Sequence, residues 1–370
     1  MGLNRKIIYE KRVKSLAEKA SESDIGLLLI TGRGNVEYLT GFRGPAVLLL
    51  KEGGLKLIVP RLEYERALDE CAGGEIIAYL PYNLPLPPSK HLFKGKLKDL
   101  LLEELKGRKG KVGLIGKFDF TLIRGLASAL KEVEVVDANP LISELRSVKE
   151  PWEIELIKEA TRVAESALVK VLDHAKEGVR EYEIAAELIY EIRRRGAQPS
   201  FEPIIASGRN SSFPHAIPGD KTLKSGEWLV IDVGARLKGY CSDLTRTLVV
   251  GGLGGSKRRL IELVLEAQDS AVERLKSGSL ASEVDEAARS VIEREGLGGY
   301  FIHSLGHGIG LEVHEEPLLA PDSEKRLKEN MVVTIEPGIY LKEGGVRIED
   351  MFVVREGGCE RLTSLERIIL

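Results

Sequence analysis

Ile231-Asp232-Val233-Gly234-Ala235-Arg236-Leu237-Lys238-Gly239-Tyr240-Cys241-Ser242-Asp243 and Ile335-Glu336-Pro337-Gly338-Ile339-Tyr340-Leu341-Lys342-Glu343-Gly344-Gly345-Val346-Arg347-Ile348-Glu349 follow one pattern. Each begins Ile-acid-x-Gly, reaches Leu-Lys and a glycine turn, and returns to an acid; the second is two residues longer, in its turn. Each reads as a β-hairpin with a carboxylate on either arm. Two such hairpins facing one another bring four carboxylates together. Alone, either hairpin is more simply a solvated turn with incidental acids. Four clustered negative charges on apolar strands, however, repel unless a cation lies between them.

A fifth candidate comes from Phe301-Ile302-His303-Ser304-Leu305-Gly306-His307-Gly308-Ile309-Gly310-Leu311-Glu312-Val313-His314-Glu315. The chain has six histidines, and three fall in this stretch. The alternating glycines let the backbone pass close to a ligand. Asp232, Asp243, His307, Glu336 and Glu349 form an oxygen-rich, nitrogen-poor donor set. That set suits a pair of divalent ions better than one structural zinc. Two ions ~3.5–4 Å apart share and acidify a water, the nucleophile of a hydrolase. His303 and His314 are then candidates for proton transfer and for holding a substrate oxygen. His215 lies in the Pro/Gly-rich loop Ser212–Asp220, a setting common for functional side chains. His91 and His174 read as ordinary.

These segments resemble the five-ligand signature of the pita-bread metallopeptidases, the family of methionine aminopeptidase, aminopeptidase P and prolidase. His215, His303, His314 and Arg347 match at their offsets from the ligands. Gly34-Asn35-Val36-Glu37-Tyr38-Leu39-Thr40-Gly41-Phe42 is similar to the additional N-terminal domain of prolidase, aminopeptidase P and creatinase. The resemblance implies an α/β N-terminal domain over residues 1–145. It also implies an α+β pita-bread catalytic domain over 146–370, built of two pseudo-twofold helix-helix-hairpin halves. By the same resemblance, Asp243 and Glu349 bridge two divalent ions, Asp232 completes one side, and His307 and Glu336 complete the other. Mn²⁺ or Co²⁺ is the expected metal, with Zn²⁺ and Fe²⁺ also suited to the set. His314 serves the oxyanion, Glu336 passes a proton to the leaving nitrogen, and His215, His303 and Arg347 receive the substrate.

The implied substrate is a proline-containing di- or oligopeptide with a free N-terminus, cleaved before the proline. Dipeptidase (prolidase) is the leading reading, and aminopeptidase P acting on longer peptides is the alternative. Some microbial prolidases read His-Glu-x-Pro-Arg, with the Arg on the substrate carboxylate; this chain reads His314-Glu315-Glu316-Pro317-Leu318. Leu318 removes that cation and leaves the choice open. A different amidohydrolase on the same scaffold, or a pseudo-peptidase used as a binding module, stands further back, because the five ligands are complete. A homodimer is expected from the family.

Composition narrows the setting. The 370 residues suffice for two domains, and a net charge of −3 argues against a nucleic-acid partner. No apolar run approaches a membrane span, and Met1–Arg12 carries no export signal. Cys71, Cys241 and Cys359 are scattered, as in a reducing cytoplasmic protein. Two Gln and six Asn beside 30% charged residues point to a thermophilic source.

Before residue 145, strands are expected over Gly26–Gly32, Ala46–Lys51, Leu55–Pro60, Glu75–Leu80, Lys111–Lys117 and Val133–Ala138. Helices are expected over Arg5–Lys19, Arg61–Cys71, Lys96–Lys106 and Thr121–Lys131. Pro81–Pro88 reads as an extended surface loop. The second domain opens on a helix at Pro151, with Glu153 and Glu155 at its positive end and an apolar face of Ile154, Ile157, Ala160, Val163, Ala164, Leu168 and Val171. Further helices are expected over Glu181–Arg195, Lys257–Lys276 and Ala281–Glu295. Arg193-Arg194-Arg195 reads as a solvated helix end.

Overall fold

The computed structural model describes residues 2–51, 54–85, 91–129, 132–252 and 254–368. The chain forms two compact units, Met1–Leu145 and Arg146–Leu370.

The first unit is built on a seven-stranded sheet. In chain order its elements are α1 (Gly2–Glu22), β1 (Ile25–Ile30), α2 (Arg33–Thr40), β2 (Val47–Lys51), β3 (Gly54–Pro60), α3 (Tyr64–Glu70), β4 (Glu75–Leu80), β5 (Leu92–Lys94), α4 (Leu97–Leu105), β6 (Gly110–Ile115), α5 (Phe120–Ala129), β7 (Val133–Asp137) and α6 (Asn139–Ser147). The strand order is β5-β4-β3-β2-β1-β6-β7, antiparallel around β2 and parallel elsewhere. Apolar residues on successive positions of β1 and β2 are buried, because the central strands are covered on both faces. Leu27, Leu29, Leu49 and Ile58 pack with Leu100, Leu101 and Leu105 of α4.

The expected elements are present with shifts of a few residues at their ends, and Arg61–Glu63 opens its helix as a 3-10 turn. Three elements lie outside the expected strands and helices: α2, β5 and α6. Gly34 and the β-branched Val36 and Thr40 of α2 weaken its helical signal, and it closes on Gly41 at φ +79°. Residues 86–88 of the proline-rich segment, and residues 130–131 of the expected fourth helix, lie outside the described residues. Pro81–Pro85 carries neither helix nor strand.

The second unit repeats one plan. Helices α7 (Pro151–Leu172) and α8 (Glu181–Arg194) precede strands β8 (Gln198–Pro199) and β9 (Ile204–Ser207), then the first hairpin, β10 (Trp228–Val233), β11 (Ala235–Leu237), β12 (Tyr240–Cys241) and β13 (Leu244–Val249). Helices α9 (Gly255–Arg274) and α10 (Ala281–Arg294) precede β14 (Gly306–Gly308) and β15 (Glu315–Leu319), then the second hairpin, β16 (Val332–Ile335), β17 (Gly338–Leu341), β18 (Gly344–Arg347) and β19 (Asp350–Arg355), with β20 (Gly358–Arg361) at the edge. Each half has its own core. Leu168, Ile184, Leu188 and Ile231 belong to one; Val264, Val284, Ile292 and Ile335 belong to the other. On α7, Pro151 takes a first-turn position and Glu153 accepts the Glu150 N–H. Its expected apolar face is buried, with Val163 at the margin. Arg194 and Arg195 both meet Glu191 at the end of α8.

Neither hairpin is the simple ribbon its sequence suggests. Both arms of each break, giving a paired base (β10/β13, β16/β19) and a separately paired tip (β11/β12, β17/β18). At Gly234 a Cβ would lie 2.1 Å from the Ser242 carbonyl, so only glycine lets the arms pinch there. In the second hairpin Pro337 supplies the break, since it has no N–H for the ladder. The four acids stand at these breaks or one residue from them. An isolated bridge between Thr245 and Glu349 joins one hairpin to the other.

Candidate active site

Asp232 is the penultimate residue of β10, Asp243 precedes β13, Glu336 follows β16, and Glu349 precedes β19. His307 is the middle residue of β14, which pairs with both β15 and β16. The folded chain brings these together. One ligand atom from each of Asp243, His307 and Glu349 lies within 4.8 Å of the others. His307 Nε2 is 3.3 Å from Glu336 Oε1 and 3.8 Å from Asp243 Oδ2. The charge of Asp232 acts on Asp243, Glu336 and Glu349 alike.

The electrostatics are those of like charges held out of water. Burial pushes Asp243 well above the usual carboxylate range, and Glu349, Asp232 and Glu336 push it further. Burial does the same to Glu349, with Glu336 and Asp232 adding to it. Burial raises Glu336 to about 8, with Arg347 opposing and Asp232 reinforcing. Asp232 Oδ1, Asp243 Oδ1 and Glu349 Oε1 are buried with no hydrogen-bond partner. Three unsatisfied carboxylate oxygens in one cluster are a large penalty for a protein alone. They fit a divalent-metal pair, which supplies the missing positive charge. The imidazole agrees. His307 Nδ1–H donates to the Gly308 carbonyl at 3.0 Å, so Nε2 carries the lone pair on the carboxylate side. Burial lowers its pKa and keeps it neutral.

Around this cluster runs a chain of directed hydrogen bonds. Arg347, buried, donates from Nη2 to Asp232 Oδ2 at 2.7 Å and from Nη1 to Tyr340 Oη at 2.8 Å. His303 Nδ1–H donates to the Ser304 carbonyl at 2.8 Å, so its Nε2 accepts from Tyr340 Oη at 2.9 Å. Burial lowers His303 to about 4, so it stays neutral near pH 7. The His314 ring stands 4.3 Å from that of His307, centroid to centroid, on a solvent-exposed residue. His215 is exposed on its loop, and its charge acts on both His303 and His314. Leu318 is the cross-strand partner of His307 and is 45% exposed.

Three further residues join the site: Thr245, Thr334 and Tyr340. Thr245 Oγ1 donates to Glu349 Oε2 at 2.7 Å, Thr334 Oγ1 donates to Glu336 Oε1 at 3.2 Å, and Tyr340 links Arg347 to His303. The two threonines lie two residues from Asp243 and Glu336, so the two-residue period of a strand could have found them. Tyr340 has no comparable signal.

Comparison with known proteins agrees with this geometry. Residues 155–356 match the metallopeptidase family M24, and residues 12–148 match the creatinase/prolidase N-terminal domain. The Xaa-Pro dipeptidase of Pyrococcus furiosus is 40% identical over 98% of this chain and 100% of its own. Among solved structures, a Xaa-Pro dipeptidase from Bacillus anthracis superposes with a TM-score of 0.89 at 33% identity, covering 98% of this chain and 99% of that one. An X-Pro aminopeptidase from Thermotoga maritima gives 0.81 at 34% identity, covering 95% and 99%. With two matching domains, a full-length relative at this identity and a site to fit, the chain belongs to the metallopeptidase family M24.

Proposed function

We propose that this protein hydrolyses the peptide bond preceding proline at a free N-terminus, acting as a Xaa-Pro dipeptidase. Asp232, Asp243, His307, Glu336 and Glu349 would hold two divalent metal ions. The observation that carries the reading is the trio of buried, unpartnered oxygens on Asp232, Asp243 and Glu349. The full-length relative at 40% identity is itself a Xaa-Pro dipeptidase.

When bound, the metals acidify a water and polarise the scissile carbonyl. The chain's own residues do the rest. Neutral His314, open to solvent beside His307, donates a hydrogen bond to the oxyanion. Glu336, held by the Thr334 hydroxyl, carries a proton to the leaving nitrogen. His215 and His303 border the proline, whose imide nitrogen has no proton to offer once bonded. Arg347 fixes the Asp232 carboxylate and, through Tyr340, the His303 ring.

Leu318 favours the second reading, an aminopeptidase P that lets the peptide continue past the proline. An apolar, half-exposed side chain beside His307 offers no charge to a proline carboxylate. Mn²⁺ or Co²⁺ is the proposed metal, on the chemistry of the donor set. A homodimer is proposed from the family. A cytoplasmic, thermophilic setting accords with three cysteine thiols and the scarcity of Gln and Asn. The net charge of −3 speaks against a nucleic-acid partner. Among the described residues no helix is long and apolar enough to cross a membrane.

The test is hydrolysis of Met-Pro, Met-Ala and Arg-Pro-Pro by chelator-stripped protein, with and without added Mn²⁺ or Co²⁺. Metal-restored cleavage of Met-Pro alone is the expected result. Preferential release of Arg from the tripeptide would select the aminopeptidase, and no metal-dependent cleavage of any peptide would remove both.

A further inference from the structure

The loops carrying His215 and His303 occupy corresponding places, each between the second helix of its half and the hairpin of that half. Each is tied down by a fully buried acid on that helix.

Glu181, the first residue of α8, is 0% exposed. Its Oε1 accepts the Ser207 N–H and the Ser207 hydroxyl, both at 2.7 Å, and the Asn210 amide at 3.1 Å. Its Oε2 accepts the Asn210 amide at 3.0 Å and the Gly219 N–H at 3.2 Å. Ser207 and Gly219 bracket residues 208–218, so a single carboxylate closes both ends of the His215 loop. Closing a loop at its base restricts the conformations open to the segment between the ties.

In the other half, Asp285 of α10 is also 0% exposed. Its Oδ1 accepts the Leu305 N–H at 3.0 Å, and both its oxygens bind Arg289, at 2.9 Å from Nη2 and 2.8 Å from Nε. Arg289 in turn donates to the Phe301 and His303 carbonyls, both at 2.9 Å, and lies 4.1 Å above the Phe301 ring. The Phe301 ring meets the His303 ring edge-on at 5.1 Å. Residues 301, 303 and 305 are thus all fixed by one bidentate ion pair.

We infer that Glu181, and Asp285 acting through Arg289, are positioning residues that set the His215 and His303 rings for substrate. Their effect on catalysis rests on the reading above that these two rings border the proline. Their effect on the rings does not.

Glu181→Gln is the decisive variant. It is nearly isosteric, but an amide nitrogen must face a backbone N–H at one end of the loop, so one tie is lost while the fold stays. Arg289→Met removes the second device, and Arg289→Lys keeps its charge without the fork. Full-length, Zn²⁺-loaded protein with isotope-labelled histidine gives six ring signals, assigned by single His→Gln substitutions. Glu181→Gln is expected to move the His215 signal, and Arg289→Met the His303 signal, with His91 and His174 unmoved. Arg289→Lys is expected to restore His303 in part. KM for Met-Pro is expected to rise about tenfold in Glu181→Gln, the scale of one lost charge-assisted hydrogen bond, with kcat changed less than about twofold. Unmoved His215 and His303 signals, with only a lower melting temperature, would overturn the inference. If Arg289→Met does not fold, Glu181→Gln decides alone. Moved rings in a protein whose wild type cleaves no Xaa-Pro peptide would support the positioning while sinking the proposed substrate.

Discussion

Thr245 and Glu349 are joined twice. The Glu349 N–H donates to the Thr245 carbonyl at 3.1 Å, and the Thr245 hydroxyl donates to Glu349 Oε2 at 2.7 Å. The first bond registers one hairpin against the other, and the second orients a metal-site carboxylate while leaving Oε1 without a partner. Thr245→Val keeps the shape and removes the donor. We expect metal affinity to fall about 10–100-fold, as for other groups that orient a ligand, with secondary structure intact. Titration calorimetry with Mn²⁺ checks this; unchanged affinity would confine Thr245 to a packing role.

Asp243→Asn and Glu349→Gln each remove one ionisable group from a repelling cluster. Activity should vanish while the metal-free protein becomes more stable at neutral pH, since both groups are held away from water among like charges. Chemical denaturation of chelated samples measures the gain. Folded variants with near-wild-type turnover would refute the metal-holding roles proposed for these acids.

His314 has a different signature. Its ring neighbours His307 but is not among the three groups converging within 4.8 Å. His314→Ala should lower kcat about 10²–10³-fold, the scale of a lost oxyanion donor, with bound metal near the wild-type level by elemental analysis. A parallel loss of metal would make the ring part of the metal centre's framework.

The turn carrying His314 is secured by Glu315. Burial pushes the Glu315 carboxyl up, but the charges of Arg146 and Lys149 more than reverse this and hold it at about 2. Arg146 approaches to 2.6 Å and Lys149 to 3.2 Å. A carboxyl lowered in the folded state stabilises above its unfolded pKa, and the contribution disappears as pH falls from there through about 2. From an unfolded value near 4.5, this is about 3 kcal/mol, present at pH 7 and fading below about pH 4. Glu315→Gln should therefore cost several kcal/mol at pH 7 and much less near pH 2.5. An equal cost at both pH values, by urea unfolding, would show that the ion pairs are not what stabilises the turn.

The sequence exposed the parts of the site that contradict their surroundings. Asp232, Asp243, Glu336 and Glu349 were legible because acids interrupt strands that are otherwise apolar, and His307 because histidine is scarce here. Glu181, Asp285 and Arg289 were hidden for the opposite reason. Acids near a helix start and an Asp–Arg pair four residues apart are what any solvated helix carries. Only the loops folding back over α8 and α10 bury Glu181 and Asp285 and cover most of the Arg289 side chain. The break in the first hairpin was invisible because Gly234 serves a close approach by Ser242, a contact that exists only after the arms have met. Helix α6 was missed because Asn139-Pro140 reads as a turn, whereas a proline in the first helical turn leaves no bond unmade.

Arg146 and Lys149 lie ahead of α7, outside the stretch that matches the family M24, yet both bind Glu315, more than 160 residues downstream. An excised catalytic fragment beginning at Pro151 would contain all five proposed metal ligands and every proposed catalytic histidine. It would also strand a buried anion next to His314. Removing the five residues from Arg146 to Glu150 therefore leaves the Glu315 carboxylate without either cation, and a catalytic piece of this protein that keeps both must start no later than Arg146.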